Sequence, residues 1–139
     1  MEQPLSPPYH QKTILVVDVD PVILQFVAGL MADFGYTVLT ALSGETALEQ
    51  SRGYKGEIHL LLSDFQMPAM TGIELATQIS AERPRIKVLM MSGFTGGMLV
   101  LNEGWHFLAK PFIASQLRAL VLGLVFPDRV SNFPKQRDI

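Results

Sequence analysis

Apolar positions along the chain gather into five short runs, and four of the intervals after them carry helical spacing or helix-capping signals. Residues 13–18, "TILVVD", are β-branched and apolar without a break. Such runs are typical of strands covered on both faces in a parallel sheet. Pro21 suits the first turn of a helix. From there Val22, Ile23, Phe26, Val27, Leu30, Met31 and Phe34 recur at helical spacing, and Gly35 stops the helix. "TVLTA" (37–41) predicts a second strand, and Ser43 can N-cap a helix through about Arg52. "IHLLLSD" (58–64) predicts a third strand, followed by a loop with Pro68 and Gly72 and a helix over about 73–82, ahead of Pro84. "IKVLMMS" (86–92) and "WHFLAK" (105–110) predict the fourth and fifth strands, and 113–125 the last helix. The pattern finds no internal repeat.

Strand and helix alternate five times. That order predicts an α/β fold, a doubly wound five-stranded parallel sheet with helices on both faces and right-handed crossovers. Ligands of such sheets bind at the carboxyl ends of the strands. Four of the five apolar runs end in a strong polar group: Asp18 with Asp20 close behind, then Asp64, Ser92 and Lys110. All of them fall on one edge.

Composition narrows the chemistry. The chain has 139 residues, 48% hydrophobic and 17% charged, which suits one globular domain and not a disordered one. Net charge is −2 with no long basic run, so no nucleic-acid partner is expected. The absence of cysteine excludes disulfides, thiolate metal sites and cysteine nucleophiles, and fits a reducing compartment. The first residues, "MEQPLSPPYHQK", are polar and proline-rich with no signal-peptide core, and no apolar stretch is long enough to span a bilayer. A soluble, cytoplasmic protein with no membrane partner is expected. Residues 1–12 read as an arm or linker, 13–126 as the domain and 127–139 as a tail or linker.

Three carboxylates on one edge repel one another unless a divalent cation or a proton intervenes. Magnesium takes hard oxygen ligands, keeps some waters, and joins one or two carboxylates to phosphate oxygens. Lys110 can balance a phosphoryl group, and the Ser92 hydroxyl can reach a phosphoryl oxygen. A carboxylate beside magnesium can itself attack phosphorus to give an aspartyl phosphate. The edge therefore reads as a site for phosphoryl transfer to an aspartate.

"ILVVDVDP", "LLLSDFQMPAMTGIEL", "VLMMSG" and "FLAKPF" together resemble a response-regulator receiver domain of two-component signalling, over residues 13–125. In flavour they are most similar to receivers of hybrid histidine kinases. The resemblance implies a flavodoxin-like strand order of 2-1-3-4-5. It implies Asp64 as phosphoacceptor and Lys110 as the site lysine, with Pro111 behind it in a cis bond. It implies Ser92 and Phe107 as switch residues. A Mg2+ ion would be held by Asp18, Asp64 and the backbone carbonyl of Gln66. The implied partner is a histidine kinase or a histidine phosphotransfer domain, met through the first helix. The implied activity is limited to the domain's own phosphorylation and dephosphorylation, with no small-molecule substrate turned over.

Two departures from the family pattern stand out. Receivers usually carry two adjacent acids after the first strand. Here Asp18 matches the first, and Val19 takes the place of the second, a direct metal ligand. Valine cannot coordinate, so weak Mg2+ binding is expected. Asp20 aligns with a third, commonly acidic position and is a candidate for the metal as well as for a helix N-cap. The second departure is the short interval between Ser92 and Lys110. Its "GFTGGMLVLNEG" is rich in glycine, and a shortened fourth helix is expected there. The family uses that face for dimerisation, so the oligomeric state is left open.

Two other functions compete. A pseudo-receiver would keep the fold and bind a partner without phosphorylation, with Val19 as its main support. A phosphatase similar to the haloacid-dehalogenase type would use "VVDVDP", with Asp18 as nucleophile and Asp20 as acid/base, but would leave Asp64 without a role. His59 and His106 lie within strand patterns and read as packed or edge residues, and His10 has no motif around it. Phe107 reads as half core, and Trp105 as either rim packing or interface. The first helix carries a single charge, Asp33, between Pro21 and Phe34. Phe26, Val27 and Leu30 are expected on its core face, and its apolar remainder suits a partner.

Overall fold

The computed structural model describes residues 12–93 and 105–127. The arm over 1–11 with His10, the shortened helix expected within 94–104 and the tail from 128 onward lie outside the described residues.

Five strands form one parallel sheet: β1 (Thr13–Val17), β2 (Thr37–Ala41), β3 (Leu60–Asp64), β4 (Lys87–Ser92) and β5 (Trp105–Ala109). Their order is β2-β1-β3-β4-β5, the order the resemblance implied. The registers Ile14 to Leu60, Leu60 to Lys87 and Val88 to Trp105 align the strands so that their carboxyl ends share one edge. β1 and β3 are buried along their whole length, which is why they read as unbroken apolar runs.

Four helices cover the faces among the described residues: α1 (Pro21–Asp33), α2 (Gly44–Gly53), α3 (Gly72–Glu82) and α4 (Ala114–Val125). Side-chain caps start the first three. Asp20 accepts from the Val22 amide, Ser43 from Thr46, and Thr71 from Glu74. Gly35 follows α1 at φ 103°, a conformation open to glycine at little cost.

The alternating side chains of the strands build two cores. On one face Ile14, Val16, Leu60, Leu62 and Leu89 meet Leu24, Val27 and Met31 of α1 and Leu117 and Val121 of α4. On the other Leu15, Val17, Leu61, Val88 and Met90 meet α2 and α3. The core stripe of α1 corrects the expectation from the sequence. Leu24, Val27 and Met31 are buried, whereas Phe26 is 53% exposed and Val22 75% exposed. An almost wholly apolar helix has no polar face to mark its outer side, so the pattern alone could not orient it.

Candidate functional site

β1 delivers Asp18 to the carboxyl edge of the sheet. Its amide donates to the Ala41 carbonyl at 3.2 Å, tying it to the end of β2. Its Oδ1 accepts the Asp20 amide at 2.9 Å, which folds the chain toward α1. The Asp18 residue is only 1% exposed. β3 delivers Asp64, whose side chain is 13% exposed. Lys110 arrives from the end of β5 after its amide donates to the Ser92 carbonyl at 2.7 Å. The Lys110–Pro111 bond is cis.

These three side chains meet. Lys110 Nζ lies 3.3 Å from Asp18 Oδ2 and 3.4 Å from Asp64 Oδ1, between the two carboxylates. Burial pushes the Asp64 carboxyl above its ordinary value. Lys110 opposes that shift and Asp18 adds to it. Ser92, at the end of β4, is also buried. Asp64 and Met91 are register partners across β3 and β4, which brings Ser92 to the level of the acids.

Asp20 is placed differently. Its carboxylate caps α1 through the Val22 amide at 2.9 Å, and its own amide is held by Asp18. Among the described residues no three acidic or histidine side chains cluster as metal ligands. Val19 is 37% exposed beside the pair and offers no donor atom. The side chains at this edge that could hold a cation are thus Asp18 and Asp64, with the Gln66 carbonyl following on the β3 loop. Two carboxylates and a carbonyl are hard oxygen donors, so the set fits magnesium with water or phosphoryl oxygens completing the shell.

The loop after β3 has features the sequence did not announce. Ala69 has φ 69°, and Met70 donates to the Pro68 carbonyl at 2.7 Å, closing a tight three-residue turn. Gly72 donates to the Phe65 carbonyl, and a Cβ at Gly72 would lie 2.5 Å from the Asp64 carbonyl oxygen. Glycine is therefore required where α3 passes behind Asp64. Phe65 meets Phe107 edge to face at 6.2 Å, and Phe107 is half-buried against the second core. The side chain next to Asp64 thus touches the expected aromatic switch residue. No spacing rule pairs these two phenylalanines, since one follows β3 and the other lies in β5.

The remaining candidates are structural. His59 Nδ1 accepts the Thr13 amide at 3.0 Å, far from the acidic edge. His106 is exposed near the start of β5, and Trp105 packs at the margin of the second core.

A parallel 2-1-3-4-5 sheet with an acid pair and a lysine at its carboxyl edge is the arrangement of a signal-receiving α/β domain. The family model of the response regulator receiver domain matches residues 14–122, and the chain belongs to that family of two-component signalling proteins. It is 36% identical over 112 residues to the sensor kinase CckA of Brucella abortus, an alignment covering 78% of this chain and 12% of that protein. It is 39% identical over 110 residues to the transcriptional regulatory protein ZraR of Escherichia coli, covering 76% of this chain and 24% of that one. The chain thus spans a minor part of the length of these relatives. Among solved structures, the receiver domain of the hybrid histidine kinase CckA superposes with a TM-score of 0.73 at 30% identity, covering 81% of this chain and 98% of that one. A CheY-like receiver from Methanospirillum hungatei gives 0.76 at 26% identity, covering 86% and 98%. Likeness to a hybrid-kinase receiver is thus found in both sequence and structure. No helix among the described residues is long and apolar enough to cross a membrane.

Proposed function

We propose that this domain accepts a phosphoryl group on Asp64 from a phosphohistidine of a histidine kinase or phosphotransfer domain. An Asp64 carboxylate oxygen attacks phosphorus, the N–P bond breaks, and the imidazole leaves with the electron pair. Lys110 balances the charge gathering on the phosphoryl oxygens, and Ser92 donates its hydroxyl to one of them. Mg2+, held by Asp18, Asp64 and the Gln66 carbonyl, would supply further neutralisation of the phosphoryl charge. Hydrolysis of the acyl phosphate returns the domain to its starting state. Movement of Ser92 and Phe107 toward the phosphoryl group is the proposed output. The single observation behind this assignment is Lys110 Nζ lying between Asp18 and Asp64 at 3.3 and 3.4 Å.

The partner is proposed to dock on α1. Exposed Phe26 and Val22, with Ile113 at the start of α4, offer apolar area beside the site. Residues 13–126 are taken as the receiver unit, and a cytoplasmic setting fits a phosphohistidine donor.

The pseudo-receiver remains the second reading, because Val19 removes one metal ligand. Intact mass after incubation with a small-molecule phosphodonor and graded Mg2+ separates the two. A Mg2+-dependent adduct that is lost in Asp64→Asn supports phosphoryl acceptance. No adduct at any Mg2+ concentration supports the pseudo-receiver. Val19→Asp is expected to lower the Mg2+ needed by about tenfold, the effect of about 1.4 kcal/mol from one more charged ligand. Loss of the adduct in Asp18→Asn with retention in Asp64→Asn would instead point to the phosphatase chemistry.

A further inference from the structure

The amino edge of the sheet, opposite the acid pair, is electrostatically its reverse. Lys12 precedes β1, Glu57 and His59 precede β3, Arg85 precedes β4, and Lys87 opens it. Parallel pairing sets these strand starts side by side, with the Lys87 amide donating to the His59 carbonyl and the His59 amide to the Thr13 carbonyl. Two recesses open here, of about 340 Å³ and about 160 Å³. Five of the chain's eleven lysines and arginines line them (Lys12, Lys55, Arg83, Arg85 and Lys87), against one carboxylate, Glu57. This concentration occurs in a chain whose net charge is −2.

Arg83 is already committed to the fold. Its guanidinium donates to the Ser51 hydroxyl and to the carbonyls of Ser51, Tyr54 and Gly56, closing the end of α2. The other four cations are differently placed. Arg85 is 81% exposed and reaches Glu57 at 2.8 Å. Lys12 lies over the Phe126 ring at 5.1 Å. Among the described residues no ion pair joins Lys55 or Lys87. Between the cations the recesses are walled by Ile58, Pro84, Ile86, Leu124 and Val125.

We propose that this amino edge is a docking surface for an acidic peptide segment of a partner protein, with Lys12, Lys55, Arg85 and Lys87 meeting its carboxylates and the aliphatic recesses taking its apolar side chains. Glu57 gives the precedent, a carboxylate seated between Arg85 and His59. A nucleic acid fits less well. No phenylalanine, tyrosine or tryptophan lines either recess for a base to stack on, and Glu57 would repel phosphates. The same cations reach the histidines. Burial and then Lys12 and Arg85 lower the pKa of His59 against the pull of Glu57, and partial loss of hydration and then Lys87 lower that of His106. The charge is assembled from three segments distant in sequence, so no basic run betrays it.

The test is fluorescence anisotropy of the whole chain with a labelled peptide of alternating glutamate and leucine. The double variant Arg85→Glu, Lys87→Glu and an oligothymidylate of matching charge serve as comparisons. Both substituted residues are exposed, and a thermal melt checks that the variant folds. Saturable binding that weakens at least about tenfold in the variant, and that falls as salt is raised, is expected. Absence of peptide binding, equal binding to the variant, or equal or tighter binding of the oligothymidylate overturns the proposal. The outcome is independent of phosphoryl acceptance, because Asp64 lies at the other edge and its adduct is read separately by mass.

Discussion

At the scale of the residue, Asp64 illustrates how a site works against stability. Its carboxylate is buried beside Asp18, and Lys110, with a smaller contribution from the Phe65 amide, offsets that environment. Its folded pKa is raised above the ordinary 3.8. Below that ordinary value both folded and unfolded states carry the proton, and no penalty exists. As pH rises through the folded pKa, the native state must ionise a poorly solvated group, and stability is lost. At pH 7 Asp64→Asn is therefore expected to stabilise the domain by about 1 kcal/mol, or roughly 4 °C. That gain should shrink as pH is lowered toward 4, as read from thermal melts across the range. A variant that melts lower at pH 7 would contradict the account. Asp18, Asp64 and Lys110 were legible in the sequence because each follows a largely apolar run at the same end of its strand. Phe65 was not, because its partner Phe107 comes from a strand more than forty positions away.

At the scale of the element, α1 and α3 carry opposite lessons. The sequence predicted both helices within one residue of their observed ends, since Asp20 and Gly35 around α1, and Gly72 and Pro84 around α3, supply local start and stop signals. Orientation about the axis was another matter for α1. Met31 is fully buried and Phe26 is half outside. Met31→Ala should cost about 3 kcal/mol in a denaturant titration. Phe26→Ala should cost less than about 1 kcal/mol yet slow phosphotransfer from a cognate kinase, if α1 is the docking helix. The reverse ranking in the titration would restore the face inferred from spacing. For α3, the close approach of its first residue to β3 sets the constraint. Gly72→Ala drives a methyl into the Asp64 carbonyl and should cost about 2–3 kcal/mol. Unaltered stability would show that this loop relaxes freely.

At the scale of the whole molecule, the sheet separates charge. Acids and a single lysine gather at the carboxyl edge, and cations with two histidines at the amino edge. His59 and His106 both have folded pKa values below 6.5, chiefly because each ring loses part of its hydration. Their neutral forms contribute stability that is present above pH 6.5 and is lost as pH falls through the folded values. Stability measured by denaturant between pH 7 and about 5 should therefore contain a declining component that His59→Gln with His106→Gln removes. An unchanged slope in that double variant would show that the histidines are solvated.

The sequence by itself determined the five strands, the helix starts and the row of polar groups that ends the strands. These are local properties: apolar runs, capping side chains, and glycine or proline where the chain must turn. It also carried the departure at Val19, since a missing donor atom is a fact of residue type. Tertiary structure alone decided that Lys110 sits between Asp18 and Asp64, that Phe65 meets Phe107, and that α1 turns Phe26 outward. It alone gathered Lys12, Lys55, Arg85 and Lys87 onto one edge. Contacts of this kind depend on strand order and register, which join residues dozens of positions apart and leave no local pattern in the chain.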